Sequence, residues 1–139
     1  MSSSPSREGS GSVGTRARVL LASDSPKLSG ELLAGLERLP LVEIVGEANT
    51  SQEALTLFLE HRPRIVLLSV SLPDEGGFSL LRSIKRAAPG CAVILVTYGE
   101  EPFVRQAGFL LGATAVYSTN GAVWQICGIV DRLAKGWEI

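Results

Sequence analysis

The chain has 139 residues, enough for one domain with a real core and little room for a second. Hydrophobic residues make up 45% and charged residues 19%, an ordinary globular balance, and a formal net charge of -1 offers no general attraction for nucleic acid or an anionic membrane. The two cysteines, Cys91 and Cys127, stand far apart with no CxxC and no histidine close by, which excludes a zinc or redox motif and leaves both as small core hydrophobes.

Residues 1–16 read as a flexible tail, because Met1 to Thr15 is rich in Ser and Gly with a single Val and buries too little apolar surface to offset its ordering entropy. The folded domain is expected over 17–136, with a short C-terminal end at 137–139. No apolar run reaches the length of a membrane span, and the first residues lack the apolar segment of a secretory signal. A cytoplasmic protein without a membrane partner is the expectation.

Order begins with VLLAS, a buried-strand pattern that ends at Ser23 and Asp24. Ser25 and Pro26 read as cap and first residue of helix 1, in which Leu28, Leu32, Leu36 and Leu39 recur at helical spacing until Pro40. Val42 to Ala48 is the second strand. Thr50 and Glu53 form a capping-box pair that opens helix 2 through Ala54, Leu57, Phe58 and His61, with Pro63 beyond its end.

Ile65 to Ser69 is a β-branched-rich apolar run without polar alternation, which suits a strand buried on both faces. It gives way to small hydroxyls, a proline, two acids and a Gly76-Gly77 turn. Phe78, Leu81, Ile84 and Ala88 then make the apolar face of helix 3, closed by Pro89-Gly90. Ala92 to Thr97 is the next strand. Glu100 and Glu101 favour the start of helix 4, Pro102 fits its first turn, and the helix runs to Leu111 before Gly112. Ala115 to Tyr117 is a short fifth strand, and Asn120 or Thr119 caps a last helix to Lys135.

Five strands alternating with five helices imply an α/β domain, a five-stranded parallel sheet with helices on both faces, because parallel strands need crossover connections. In such sheets the carboxyl ends of the strands open onto the ligand crevice. Ser69, Ser71 and the Pro73 to Gly77 turn are therefore expected at a functional edge.

The segments VLLASDSP, VGEANTSQEAL, IVLLSVSLPDEGG, VILVTY and GATAVY together resemble a bacterial response-regulator receiver domain, over nearly everything from Arg18 to Gly136. VGEANTSQEAL is similar to receivers that precede a helix-turn-helix DNA-binding domain, and the closing AKGWEI is similar to the start of the segment that leads there. The resemblance implies a (βα)5 fold of the flavodoxin-like, CheY-like type. It also implies a phosphorylation site of two acids after strand 1, an acceptor aspartate after strand 3, a hydroxyl after strand 4 and a lysine after strand 5. In this chain those positions fall on Ser23 and Asp24, Ser69, Thr97 and Thr119, so only Asp24 and Thr97 keep the family type. The aromatic that reports switching in many members falls on Val116, and Tyr98 stands where a small residue is usual.

The losses are physically coherent. Three crowded carboxylates repel, at roughly 4 kcal/mol for a pair about 4 Å apart at an effective dielectric near 20, and a lysine and a divalent metal normally offset this. Here two acids and the lysine are gone together, which leaves neutral hydroxyls around Asp24. Magnesium wants near-octahedral oxygen ligands, so Asp24 with a backbone carbonyl near Ser71 is only a weak metal candidate, and no cofactor is expected. Asp74 is either a substitute acid or an exposed turn residue, the second being the plainer reading. Ser69 cannot replace a carboxylate as an acyl-phosphate acceptor, and its plain role is a hydroxyl bonded to nearby backbone. Ser23 and Ser69 have no candidate base beside them, His61 completes a helix end, and Arg82, Lys85 and Arg86 read as a solvated face. No enzyme is expected.

Ala107 to Leu111 is a run of non-polar residues that at 100° per residue covers every side of helix 4. Helix 5 repeats the theme, with Val123, Trp124, Ile126, Cys127, Ile129, Val130 and Leu133 against a narrow polar stripe. Phe109, Leu110 and Trp124 are the candidate anchors of a partner face. The resemblance likewise places dimers and partners on strand 5 and its flanking helices. The leading expectation is a phosphorylation-independent pseudo-receiver signalling module. It would meet a protein partner or form a homodimer through helix 4, strand 5 and helix 5, with no direct nucleic-acid contact. One alternative is the receiver part of a helix-turn-helix transcription regulator. Another is a flavodoxin-like cofactor-binding domain. Against this last stands the absence after strand 1 of a histidine for cobalamin or of more than Ser23 and Ser25 for a flavin phosphate.

Overall fold

The computed structural model describes residues 16–97, 102–118 and 123–136. The expectations placed on residues 1–15, Tyr98, Glu100, Glu101, Thr119, Asn120 and 137–139 lie outside the described residues.

Strands β1 (Ala17–Ala22), β2 (Val42–Ala48), β3 (Ile65–Ser69), β4 (Ala92–Thr97) and β5 (Ala115–Ser118) alternate with helices α1 (Pro26–Leu36), α2 (Ser51–His61), α3 (Gly76–Ala87), α4 (Pro102–Leu110) and α5 (Val123–Ala134). All neighbouring strands pair in parallel, in the order β2-β1-β3-β4-β5. The chain winds outward from β1 to β2, then returns past β1 to β3, so the topological switch point lies between β1 and β3.

Side chains alternate across a strand, and here both sets find helices. Val19, Leu21, Ile65, Leu67, Ile94 and Val96 pack against Leu28, Leu32 and Leu36 of α1 and Ile126, Ile129 and Val130 of α5. Leu20, Val66, Leu68, Val93 and Leu95 pack against Ala54 and Phe58 of α2 and Leu80, Leu81 and Ile84 of α3. Every residue of β3 is buried, as the apolar run without alternation requires.

Local signals set most helix ends. Ser25 Oγ accepts from the Leu28 N–H at 3.2 Å with Pro26 in the first helical position. Thr50 Oγ1 accepts from the Glu53 N–H at 3.1 Å, while Glu53 reaches back to the Asn49 N–H at 2.9 Å, one residue before the cap. Helix α1 stops at Leu36 and does not run to Leu39. The Arg38 and Leu39 N–H groups turn back to the carbonyls of Gly35 and Leu36, and the proline after Leu39 disfavours a helical conformation there. Gly76-Gly77 forms the first turn of α3 instead of a turn ahead of it. The residues that α3 buries are Gly77, Leu80, Leu81 and Ile84, with Phe78 and Ala88 only partly covered.

At the edge where the strands begin, two arginines close helix ends and a lysine ties the loop that follows α3. Arg18 Nη1 donates to the His61 carbonyl at 2.6 Å, Arg64 Nη2 donates to the Leu133 carbonyl, and Lys85 Nζ donates to the Cys91 carbonyl at 2.6 Å. Helix C-termini carry partial negative charge that such donors neutralise. Lys85, expected on a solvated face, instead ties down the loop between α3 and β4, where it also donates to the Pro89 carbonyl at 3.3 Å. Among the described residues no helix is long and apolar enough to cross a membrane.

Candidate functional site

Because β1, β3 and β4 are neighbours, with Ala22 beside Leu68 and Ser69 beside Val96, the residues at their carboxyl ends share one edge. Ser23, Ser69 and Thr97 are buried there, while Asp24 and Ser71 are exposed. A buried hydroxyl is costly without a partner. Ser23 Oγ accepts from the Ser25 N–H at 3.1 Å and donates to the Ser25 carbonyl at 3.4 Å, a local turn of the kind serine favours.

Ser69 Oγ accepts from the Ser71 N–H at 3.3 Å, lies 3.1 Å from Ser71 Oγ and donates to Asp24 Oδ1 at 3.4 Å. Ser71 Oγ donates to the same carboxylate at 3.2 and 3.4 Å. These oxygen separations exceed the ~2.7–2.8 Å of a good hydroxyl bond, so the cluster is loosely bonded. The bonding of Ser69 to nearby backbone is as expected. Its place beside Asp24 is the grouping expected of the pocket, and it corrects only the expectation that no base stands next to the serine. That pair is not a hydrolase triad, because the single histidine, His61, ends α2 at the other edge of the sheet and is bonded to Arg18.

A hydroxyl cannot form the acyl phosphate that a carboxylate forms. Among the described residues no three His, Cys, Asp or Glu side chains gather to hold a metal ion. The fifth sequence-predicted position, Thr119, lies outside the described residues.

Asp74 is neither a site acid nor a plain turn residue. It takes the left-handed conformation at φ 66, which aspartate tolerates better than most side chains. Its Oδ1 and Oδ2 accept from the Ser51 and Gln52 N–H groups at 3.0 and 3.1 Å, and Ser51 Oγ donates to the Gly76 carbonyl at 2.8 Å. The loop leaving the site strand therefore caps α2, and these bonds, the Ser51 N–H foremost, hold the Asp74 carboxyl below its ordinary range. Gly77 has an equally specific role. A Cβ there would overlap the Ser69 carbonyl and lie 2.7 Å from Val70 Cα, so α3 starts directly against the end of the site strand only because residue 77 is glycine.

On the far side of β5, the three predicted anchors are at the surface: Phe109 is 46% exposed, Leu110 80% and Trp124 73%. Phe103, 68% exposed, joins them from outside the non-polar run at 107–111. Only Val104 and Gly108 of α4 are buried, and a Cβ on Gly108 would meet Leu95 Cδ2 at 2.8 Å, so the helix backbone rests on the sheet. Tyr117, Trp124, Gln125, Gly128 and Arg132 line a hollow of about 350 Å³ beside α5. Burial pushes the Cys91 thiol up to about 11 and raises that of the half-buried Cys127, so neither is a ready thiolate.

The chain matches the family model described as response regulator receiver domain over residues 19–118. It is 32% identical over 106 residues to the response regulator GacA of Pseudomonas viridiflava, which covers 76% of this chain and 49% of GacA. It is 37% identical over 81 residues to the protein-glutamate methylesterase/protein-glutamine glutaminase of Agrobacterium fabrum, covering 58% of this chain and 23% of that protein. Neither match extends beyond about half of the relative's own length. Among solved structures, the signal receiver domain of NarL from Mycobacterium tuberculosis superposes with a TM-score of 0.79 at 25% identity, over 89% of this chain and 100% of that one. The isolated receiver domain of RcsB from Salmonella enterica serovar Typhimurium shares the fold, with a TM-score of 0.81 at 23% identity over 90% and 93% of the two chains.

Proposed function

The chain belongs to the response-regulator receiver family, and we propose that within two-component signalling it acts as a pseudo-receiver, by contact with another protein and without aspartyl phosphorylation. The observation that carries this reading is Ser69. It occupies the end of β3, where the family places its acceptor aspartate, and its hydroxyl is tied to Asp24 and Ser71. Ser23 in place of a second acid supports it, because a buried hydroxyl satisfied by its own turn needs no cation. The separation of the single histidine from the serines of the strand-end site supports a module without catalysis of its own.

Incubation with acetyl phosphate and magnesium should leave the intact mass unchanged, and a stoichiometric phosphate adduct would overturn the reading. In the same logic, millimolar magnesium should barely move the melting temperature. A site filled a hundredfold over its Kd would add about 2.7 kcal/mol, so a shift of several degrees abolished by Asp24→Asn would expose a functional metal site.

The likeness to GacA favours a second reading that is compatible with the first. This chain corresponds to 49% of GacA, so the pseudo-receiver would be the regulatory part of a longer transcription regulator whose DNA contact lies in another domain. Electrophoretic mobility shift with this chain alone should show no DNA retardation; retardation at physiological salt would place DNA contact on the receiver itself.

A further inference from the structure

We infer that the chain associates with further copies of itself head to tail, the edge where its strands begin docking on the edge where the strands of the next copy end. The formal net charge of -1 hides a separation of charge along the strand direction. At the beginning edge Arg16 and Arg18 stand at the start of β1, Arg38 follows α1, and Arg62 and Arg64 join α2 to β3. Lys85 and Arg86 close α3 there, and Arg132 and Lys135 close α5. The acids of that edge are Glu37, Glu43, Glu60, Asp131 and, beyond α5 in the sequence, Glu138. At the opposite edge Asp24 follows β1, Glu47 lies near the end of β2 and Glu53 is in the first turn of α2. Asp74 and Glu75 precede α3, and the sequence sets Glu100 and Glu101 between β4 and α4. Lys27 and Arg105, in the first turns of α1 and α4, oppose these seven acids. Nine cations against five acids leave +4 on one edge, and seven acids against two cations leave -5 on the other, while Glu31 cancels Arg82 and Arg7 cancels Glu8. Every helix runs from the acidic edge to the basic one, so the partial charges of about half a unit at the helix termini reduce this separation without reversing either sign.

The charges are at the surface. Of the nine cations only Arg18 and Lys85 are half-buried, and Asp24, Glu47, Glu53, Asp74 and Glu75 are all exposed. Within the basic edge Lys135 pairs with Asp131 at 3.0 Å and Glu60 with His61 at 3.5 Å, and the other cations make no ion pair among the described residues. The occupant follows from the sheet itself. Both edges are ends of the same five parallel strands, so they span the same width, and the acidic edge of one copy is the size and sign of surface that the basic edge of another lacks. A two-fold contact through either edge would set that surface against itself and bring like charges together. The complementary contact is therefore heterologous, and each docked copy presents a free edge of either sign, so the assembly grows as an open chain. Contacts made by exposed charges are screened by salt, which sets the conditions under which the assembly forms.

The test is sedimentation velocity of the full chain over a concentration series, at about 0.01 M salt, where charges act over roughly 30 Å, and at about 1 M, where they act over roughly 3 Å. At low salt the weight-average sedimentation coefficient should climb with concentration past that of a dimer, and at high salt it should stay at the monomer value. Two double variants then separate the edges. Arg38→Glu with Arg86→Glu reverses exposed cations that make no ion pair among the described residues, and Glu47→Lys with Glu75→Lys reverses exposed acids. Each variant alone should associate at least about tenfold more weakly than wild type with an unchanged far-UV spectrum. An equimolar mixture of the two should associate again, because the reversed edge of one now complements the reversed edge of the other, a recovery that misfolding would not produce. A monomer at every salt concentration, or a mixture no better than its separate variants, would overturn the inference. Association that persists at high salt would assign it to apolar contact, and a plateau at the dimer would assign it to a closed two-fold contact; either would overturn it as well. Retention of a labelled DNA duplex at low salt without self-association would make a polyanion the occupant of the basic edge, with the same consequence. None of these results bears on phosphoryl transfer, so the pseudo-receiver reading is judged separately by the intact mass after acetyl phosphate.

Discussion

Helix α3 buries Leu80, Leu81 and Ile84 to 2% exposure or less, whereas α4, on the same side of the sheet, buries only Val104 and Gly108 and leaves Phe103, Phe109 and Leu110 in water. The two helices follow one another in the chain and both carry ample apolar residues. What differs is the surface beneath them. Helix α3 packs over the fully buried β3 and against α2, while α4 covers Leu95 of β4 and Val116 of the four-residue edge strand β5, approaching so closely through Gly108 that there is no room for a broad apolar layer. Apolar content in a helix therefore tells how much it can bury, and only the neighbouring strand tells how much it does bury.

The largest effect that would sharpen this comparison is a core truncation. Leu81→Ala or Ile84→Ala should cost about 2–5 kcal/mol in urea denaturation, since both side chains are at 0% exposure and leave a cavity. Gly108→Val should cost about 1–3 kcal/mol by forcing Leu95 and Val116 aside; a neutral result would show that α4 rides loosely and would break the comparison. Asp74→Ala should lower the melting temperature by a few degrees at pH 7, because it uncaps α2 and frees the loop that leads into α3. The folded-state pKa of Asp74 is depressed below the ordinary 3.8, so its stabilisation is present above that value and is lost as pH falls through the depressed one. The melting curves of wild type and variant should accordingly converge in acid. Gly128→Ala should raise stability by about 0.5–1 kcal/mol, as an interior helical glycine without steric cause does when replaced. Smallest of all, Leu110→Ala should stay within about 0.5 kcal/mol of wild type, and a loss comparable to Leu81→Ala would mean that α4 is part of the core after all.

The elements themselves were legible in the sequence, because each announces itself within a few residues. The unbroken apolar run of Ile65 to Ser69 required a strand covered on both faces, Ser25-Pro26 and Thr50 with Glu53 marked helix starts, and the order of strands and helices implied a parallel sheet. The residue types at the strand ends, Ser23, Asp24 and Ser69, were equally visible, since folding does not alter them. Tertiary structure alone decided the pairings across distance. It set Asp74 on the N–H groups of Ser51 and Gln52, placed Gly77 where α3 crosses the end of β3, made helix caps of Arg18 and Arg64, and tied Lys85 to the loop before β4. Asp74 looks like any acid in a Pro-Asp-Glu-Gly-Gly turn until its partner, 23 residues away in the chain, is known. Periodicity, caps and residue chemistry act over one or two turns of chain, whereas a long-range hydrogen bond or close backbone approach depends on where the crossovers set two elements side by side.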